Sequence, residues 1–349
     1  MSGISTYGAV ATKIRGMRSH LLKTEDYTRL ANCPSVREIV VYLKGHPSYG
    51  PILEDVDPDN MRRETVERII LRSVFNDFAK IAHFLDRDRK KFLRVYAAQY
   101  ELRLINNVIR EIFNPHTDPV NLSVYRPMYE GSPNFDFDKV IAAKTMEELA
   151  AALEGSTYLS PIEKTMKNLD NPTLFDYETA VNRFYFAYFW EALKSINSKS
   201  DKDTLMDIHG TEIDFLNILW IYRAKAYYKV TPQEIYNFLI PAYHKLKNYQ
   251  AVQMVGAQSA AEVLNIIAQT GYGKYLDPQD PSSLERAYML HIAKMNNKTR
   301  RDNPYSFAVI GAYAHDKKNE VDRIVRIAES VRYGYDPKLI LSALDIKES

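Results

Sequence analysis

The residues able to do chemistry are few and badly spaced for it. Histidine occurs at positions 20, 46, 83, 116, 209, 244, 291 and 315. No two of these stand three or four residues apart, so no helix offers two imidazoles to one metal ion. Gly271 and Gly273 form a G-x-G, but Leu276 stands where a dinucleotide-binding turn needs its third glycine, and no G-x-x-x-x-G-K-[ST] loop exists. The pair is read as a turn after a short helix. The acidic run Glu54, Asp55, Asp57 and Asp59 suggests a calcium loop, yet counting from Asp55 its sixth and twelfth positions are Asn60 and Val66, and Pro58 interrupts it. Cys33 lies beside Pro34 with no histidine near in sequence, a poor setting for a nucleophile. No DDxxD motif is present to hold magnesium. The expectation is a chain with no catalytic residue, no metal site and no cofactor.

Two basic runs remain: Arg87, Arg89, Lys90, Lys91 and Arg94, then Lys298, Arg300 and Arg301. Such runs are commonly solvated faces. The alternative is a docking surface for an acidic partner, since charges at an interface rim steer association. These eight residues are the candidate interface.

Composition sets what must position them. The 349 residues carry 46 Lys+Arg against 44 Asp+Glu, a formal charge of +2, without the cationic excess that phosphate recognition needs. Nucleic acid is therefore excluded as a partner. Hydrophobic residues at 46% and charged residues at 26% fit an ordinary globular chain of two or three domains. Only 13 Gly and 16 Pro leave few breakers, which favours long helices. The longest apolar run, Phe184 to Trp190, is far shorter than the ~20 residues of a spanning helix. Met1 to Val10 carries neither a basic leader nor a long apolar stretch, so no signal peptide is expected. A single cysteine rules out a disulfide framework and suits a reducing, cytoplasmic compartment.

The chain repeats itself with a period of roughly 110 residues. Three segments, Asp26 to Leu53, Asp136 to Ile162 and Asn248 to Leu276, each hold a hydroxyl residue followed three positions later by glutamate: Ser35/Glu38, Thr145/Glu148 and Ser259/Glu262. That is the capping-box signature of a helix start. Aliphatic residues follow at four and eight positions (Ile39 and Leu43, Leu149 and Leu153, Val263 and Ile267), giving a short helix with one apolar face. A tyrosine then closes each segment: Tyr49, Tyr158, Tyr272.

A second signature recurs further on. Glu101, Glu212 and Glu320 each precede an apolar residue, and aliphatic residues return at helical spacing: Ile105 and Val108, Leu216 and Leu219, Ile324 and Ile327. These glutamates are read as opening their helices, where negative charge meets the positive end of the helix dipole. Further helices are expected over Thr65 to Leu85, over Tyr177 to Leu193 with a wide apolar band suggesting burial on most sides, and from Thr231 and Pro232 to about Leu239. Proline-rich stretches, Asn114 to Pro133 and around Pro241, mark the junctions. No stretch alternates convincingly enough to be a strand. The fold class is all-α, in three similar helical domains over 1–119, 120–239 and 240–349.

At this point the residues take on a family likeness. The stretch Tyr7 to Leu43 resembles the opening segment of the C subunit of bacterial and archaeal V/A-type rotary ATPases, equivalent to the d subunit of the eukaryotic vacuolar enzyme. Thr211 to Tyr228, with Asn217 and Arg223, is similar to the family's middle glutamate helix. Tyr305 to Val331 resembles its closing segment, including Lys317 and Lys318 before Glu320 and the triplet Ile327 to Glu329. His315-Asp316 departs from the family's aliphatic-polar pair and is read as a surface change.

The resemblance implies a funnel-like, pseudo-threefold arrangement seated on the cytoplasmic mouth of the membrane rotor ring of proteolipid subunits. It implies contact with the central stalk subunits D and F and transmission of torque for ATP-coupled proton or sodium transport. The implied location is peripheral, on the cytoplasmic face of the membrane, with membrane contact only through the ring and no small-molecule substrate. The family has no catalytic residues to carry over. Two other readings stand beside it: a free all-α enzyme with an inter-domain pocket for an apolar substrate, and a cytosolic helical scaffold.

Overall fold

The computed structural model describes residues 3–54, 56–57, 63–115, 135–228, 230–277, 280, 283–344 and 346. Among the described residues every regular element is helical. The first part of the chain forms α1 (Gly3–Ser19), α2 (Thr24–Ala31), α3 (Val36–Lys44), α4 (Gly50–Leu53), α5 (Arg63–Ala82) and α6 (Arg87–Phe113). Next come α7 (Phe137–Ala142), α8 (Met146–Ala152), α9 (Leu159–Asn168), α10 (Leu174–Lys194), α11 (Lys199–Tyr227) and α12 (Pro232–Phe238). The last part forms α13 (Asn248–Gly256), α14 (Ala260–Ala268), α15 (Ser283–Asp302), α16 (Ala308–Arg332) and α17 (Pro337–Ala343).

The helices α3, α8 and α14 are the three capped starts. Ser35, Thr145 and Ser259 accept hydrogen bonds from the amides of Glu38, Glu148 and Glu262 at 3.3, 3.2 and 3.2 Å. The reciprocal half differs from the expected box. Glu148 and Glu262 accept from the amides of Lys144 and Gln258, one residue before the cap, whereas Glu38 turns to Arg37. The aliphatic positions of all three helices are fully buried, as are Tyr49, Tyr158 and Tyr272. Each buried Leu or Ile contributes roughly 1.5–3 kcal/mol relative to exposure, so the repeated pattern marks a repeated core.

Two compact units form. One gathers the described residues within Met1–Lys90 and Val309–Ser349; the other gathers those within Lys91–Thr117 and Asn134–Ala308. Leu30, Ile39, Leu43, Ile70, Leu71, Ile81, Ile324 and Ile327 fill the first. In the second, one cluster centres on Phe215, whose ring lies 4.8 Å from that of Tyr272 and 5.5 Å from that of Tyr288.

Two expectations are corrected. Glu101, Glu212 and Glu320 do not open helices; they lie well inside α6, α11 and α16, too far from the N-termini for the helix dipole to explain them. The apolar band of α10 is not buried on most sides: Phe189 and Trp190 are buried, but Tyr188 is exposed and Phe184 and Phe186 half-buried. His315 and Asp316 are half-buried; Asp316 pairs with Arg18 of α1 at 3.4 Å, while His315 contacts Asn319 on its own helix.

Candidate functional site

Polar side chains that a sequence reader would inspect for chemistry are instead committed to holding helices together. Glu320 is buried on α16 beside Lys317, at 2.7 Å. Its Oε1 also accepts from the Tyr49 hydroxyl at 2.6 Å, and its Oε2 accepts from the Leu22 amide at 2.5 Å. The Lys317 ammonium lies 4.5 Å from the centre of the Tyr49 ring, within reach of a cation–π attraction. A buried pair survives only when such partners satisfy both charges. Burial, and then the Glu320 charge, push the Tyr49 phenol well above the ordinary tyrosine range, so it stays a protonated donor.

Asp214 plays the equivalent part on α11. It is fully buried, and it accepts from the amides of His244, Lys245 and Leu246 at 3.0, 2.7 and 2.8 Å and from the Tyr272 hydroxyl at 2.7 Å. Burial first, and then Asp214, raise the Tyr272 phenol. One turn along, Asn217 accepts from the Ile240 amide at 2.9 Å and donates to the Ile240 and Ala242 carbonyls at 3.1 and 3.4 Å. The third tyrosine, Tyr158, donates to the Ala98 carbonyl of α6 at 3.0 Å.

The second glycine of the apparent G-x-G, Gly273, has a packing explanation, whereas a Cβ on Gly271 would meet nothing within 4 Å. A Cβ on Gly273 would lie 2.3 Å from the Ala268 carbonyl oxygen, and one on Gly50 would lie 2.8 Å from that of Lys44. Both glycines directly follow the repeated tyrosine, and both crowd the last residue of the capped helix. Among the described residues no group of three or more His, Cys, Asp or Glu could hold a metal ion. Asp55, Asp59 and Asn60 of the acidic run, and His116, lie outside the described residues.

The basic candidates differ in their surroundings. Arg87, Lys90 and Arg94 are exposed along α6. Arg89 turns inward, pairing with Asp86 and donating to the Tyr7 hydroxyl at 3.0 Å. The side chain of Lys91 lies outside the described residues. On α15, Lys298 is exposed, Arg300 donates to Asn297, and Arg301 pairs with Asp302 at 2.8 Å.

Sequence reasoning missed an open aromatic cleft of about 550 Å³ beside the end of α11, lined by Phe175, Trp220, Tyr228, Val230 and Phe238. Its charged groups are held elsewhere: Arg223 by Glu285 at 2.6 Å and Glu178 by Arg110 at 2.5 Å. No local motif signals it, because its walls come from α10, α11 and α12.

The described helices thus carry the same capped start three times, and the buried Glu320, Asp214 and Asn217 serve packing. The chain belongs to the ATP synthase (C/AC39) subunit family, whose model matches residues 10–343. It is similar to the C subunit of the A-type ATP synthase of Thermococcus onnurineus, 26% identical over 96% of this chain and 88% of that protein. It is also similar to the proteins of the same name from Methanosarcina mazei (22% identical, 99% and 94% covered) and Archaeoglobus fulgidus (24% identical, 95% and 93% covered). Among the described residues no helix is long and apolar enough to cross a membrane.

Proposed function

We propose that this chain is the non-catalytic rotor connector of a V/A-type ATP synthase, joining the central stalk subunits D and F to the membrane ring of proteolipid subunits. In this reading it sits on the cytoplasmic face and touches the membrane only through the ring. The observation that carries the proposal is the family match along nearly the whole chain. The use of Glu320, Asp214 and Asn217 as internal anchors supports it, because those groups are then engaged in packing and not in turnover. Exposed Arg87, Lys90, Arg94 and Lys298 are proposed as contacts for acidic partner surfaces.

Stiffness is the physical requirement of such a part. One charge crossing 100 mV carries about 2.3 kcal/mol, several times RT, and a connector that yielded at RT would dissipate it. Close-packed helices pinned by buried charge-assisted hydrogen bonds resist that deformation. The enzyme alternative would need a convergent polar cluster in a cleft, and the charged groups of the aromatic cleft are engaged in ion pairs.

The deciding experiment purifies the C-terminally tagged chain from mildly solubilised membranes at low salt and identifies its companions. Recovery with a small, very apolar ring protein and a long helical stalk protein supports the connector reading. Recovery alone from the soluble fraction returns weight to a free enzyme or scaffold.

A further inference from the structure

The three anchors obey one rule of connectivity. The long helix of one sequence copy holds the opening motif of the next. In copy one, α6 receives Tyr158 of copy two on the Ala98 carbonyl. In copy two, α11 receives Tyr272 and the Leu246 amide of copy three on Asp214. In copy three, α16 receives Tyr49 and the Leu22 amide of copy one on Glu320. Leu22 and Leu246 are equivalent positions: each directly precedes the cap, Lys23 or Lys247, of the helix that opens its motif.

The middle helices follow the same order. Asn106 and Arg110 of α6 reach Asn182 and Glu178 of α10 in copy two. Glu212 accepts from Tyr288, and Arg223 pairs with Glu285, both on α15 in copy three. On α16, Tyr313 donates to Asp77 of α5 in copy one at 2.5 Å. Within copy two the adjacent α10 and α11 also touch, through Phe186 and Trp220. The compact units nevertheless break inside copies one and three, between Lys90 and Lys91 and between Ala308 and Val309, and keep α16 with the beginning of the chain.

We propose that the cooperative folding module is not a sequence copy but the long helix of one copy joined to the opening motif and middle helix of the next. The beginning of the chain, Gly3–Leu53, is then the piece that completes its end, clasped to α16 through Glu320, Lys317, Tyr49 and Leu22. This clasp is a conformational device: its release opens the unit containing both chain ends and leaves residues 91–308 closed. Its physical logic is that the clasp closes a loop of nearly 300 residues, so the entropy of closing that loop is regained on release and must be lost again each time the clasp re-forms. The inference does not depend on the rotor reading, since it concerns which segments unfold together.

The test is native-state hydrogen exchange, read peptide by peptide, on the full chain and on Tyr49→Phe, Glu320→Gln and Asp214→Asn. Tyr49→Phe keeps the ring and the Lys317–Glu320 pair and removes the hydroxyl's two charge-assisted hydrogen bonds, the one donated to Glu320 and the one accepted from Lys317, which loosens the clasp. The expected result is exchange at least tenfold faster in both Gly3–Leu53 and Ala308–Arg332, with α13, α14 and α15 unchanged. Glu320→Gln should extend the same pattern, and Asp214→Asn should accelerate α13 and α14 while leaving Gly3–Leu53 alone. If Tyr49→Phe instead accelerates residues 240–349 together and spares Gly3–Leu53, the sequence copy is the module and the proposal fails. Unchanged exchange at both ends in Tyr49→Phe and Glu320→Gln, or uniform acceleration of the whole chain, overturns it equally.

Discussion

Replacing Asn217 tests the idea that buried polar side chains on the long helices act as anchors. Asn217 is fully buried on α11, and its amide satisfies both backbone groups of Ile240, itself fully buried, in the segment after α12. Asn217→Leu keeps the volume roughly constant and excludes water, so the Ile240 N–H and C=O lose their partner. Each stranded group costs about 1–3 kcal/mol. Taking about 2 for each and returning about 1–2 for the newly buried isobutyl group leaves a net loss of about 2–3 kcal/mol. Asn217→Asp separates packing from polarity. One carboxylate oxygen can still accept from the Ile240 amide, but the other faces the Ile240 and Ala242 carbonyls, which repel it unless it carries a proton. The folded-state pKa of that aspartate is therefore raised, so its penalty is smallest below the unfolded value near 4 and grows as pH rises through the folded value. Urea unfolding followed by tryptophan fluorescence is the assay, because both tryptophans, Trp190 and Trp220, lie in the unit that contains Asn217. A leucine variant as stable as the parent chain would refute the anchoring argument. So would an aspartate variant whose deficit is the same at pH 4 and pH 7.

Other substitutions probe other contacts. Gly210→Ala should destabilise, although alanine is the better helix former by about 1 kcal/mol, because its Cβ would lie 2.6 Å from Cβ and Cγ of His244; a raised melting temperature would show that the segment can move aside. Asp207 is held down to about 2, first by its hydrogen bond with His244 and then by Lys245. Its stabilisation, discounted to about 1 kcal/mol for its exposure, is present above pH 4 and lost as pH falls from 4 towards 2. Asp207→Asn should thus lower the urea midpoint at pH 7 and converge with the parent chain in acid, and a pH-independent difference would count against the ion pair. Charge reversal by Arg94→Glu with Lys298→Glu should leave the melting temperature unchanged and weaken recovery of partner subunits, more at low salt than at high salt. Undiminished recovery at low salt would remove these residues from the interface.

Much of the secondary structure was legible because capping and burial are local. Ser35, Thr145 and Ser259 cap as their spacing indicates, and the aliphatic residues four and eight positions later are buried in all three copies. The roles of Glu101, Glu212 and Glu320 were not legible. Their apolar periodicity was real, but it does not say where a long helix begins, and α6, α11 and α16 each extend more than two turns ahead of the glutamate. The local pairing of the basic runs was not legible either. Arg89, Arg300 and Arg301 find hydrogen-bonding partners within three residues, which a count of charges does not register.

The all-α class, the threefold repetition of motifs and the family were readable from the residues alone, because each rests on local propensity, periodic burial and the order of motifs. Folding in three dimensions was needed to show that Tyr49 meets Glu320 and Lys317, that Asp214 gathers three consecutive amides, and that the beginning of the chain is packed on its end. Those contacts join residues far apart in sequence. Their selection depends on which buried donors and acceptors must be satisfied together once water is excluded, a condition imposed by the whole packed core and by no single segment.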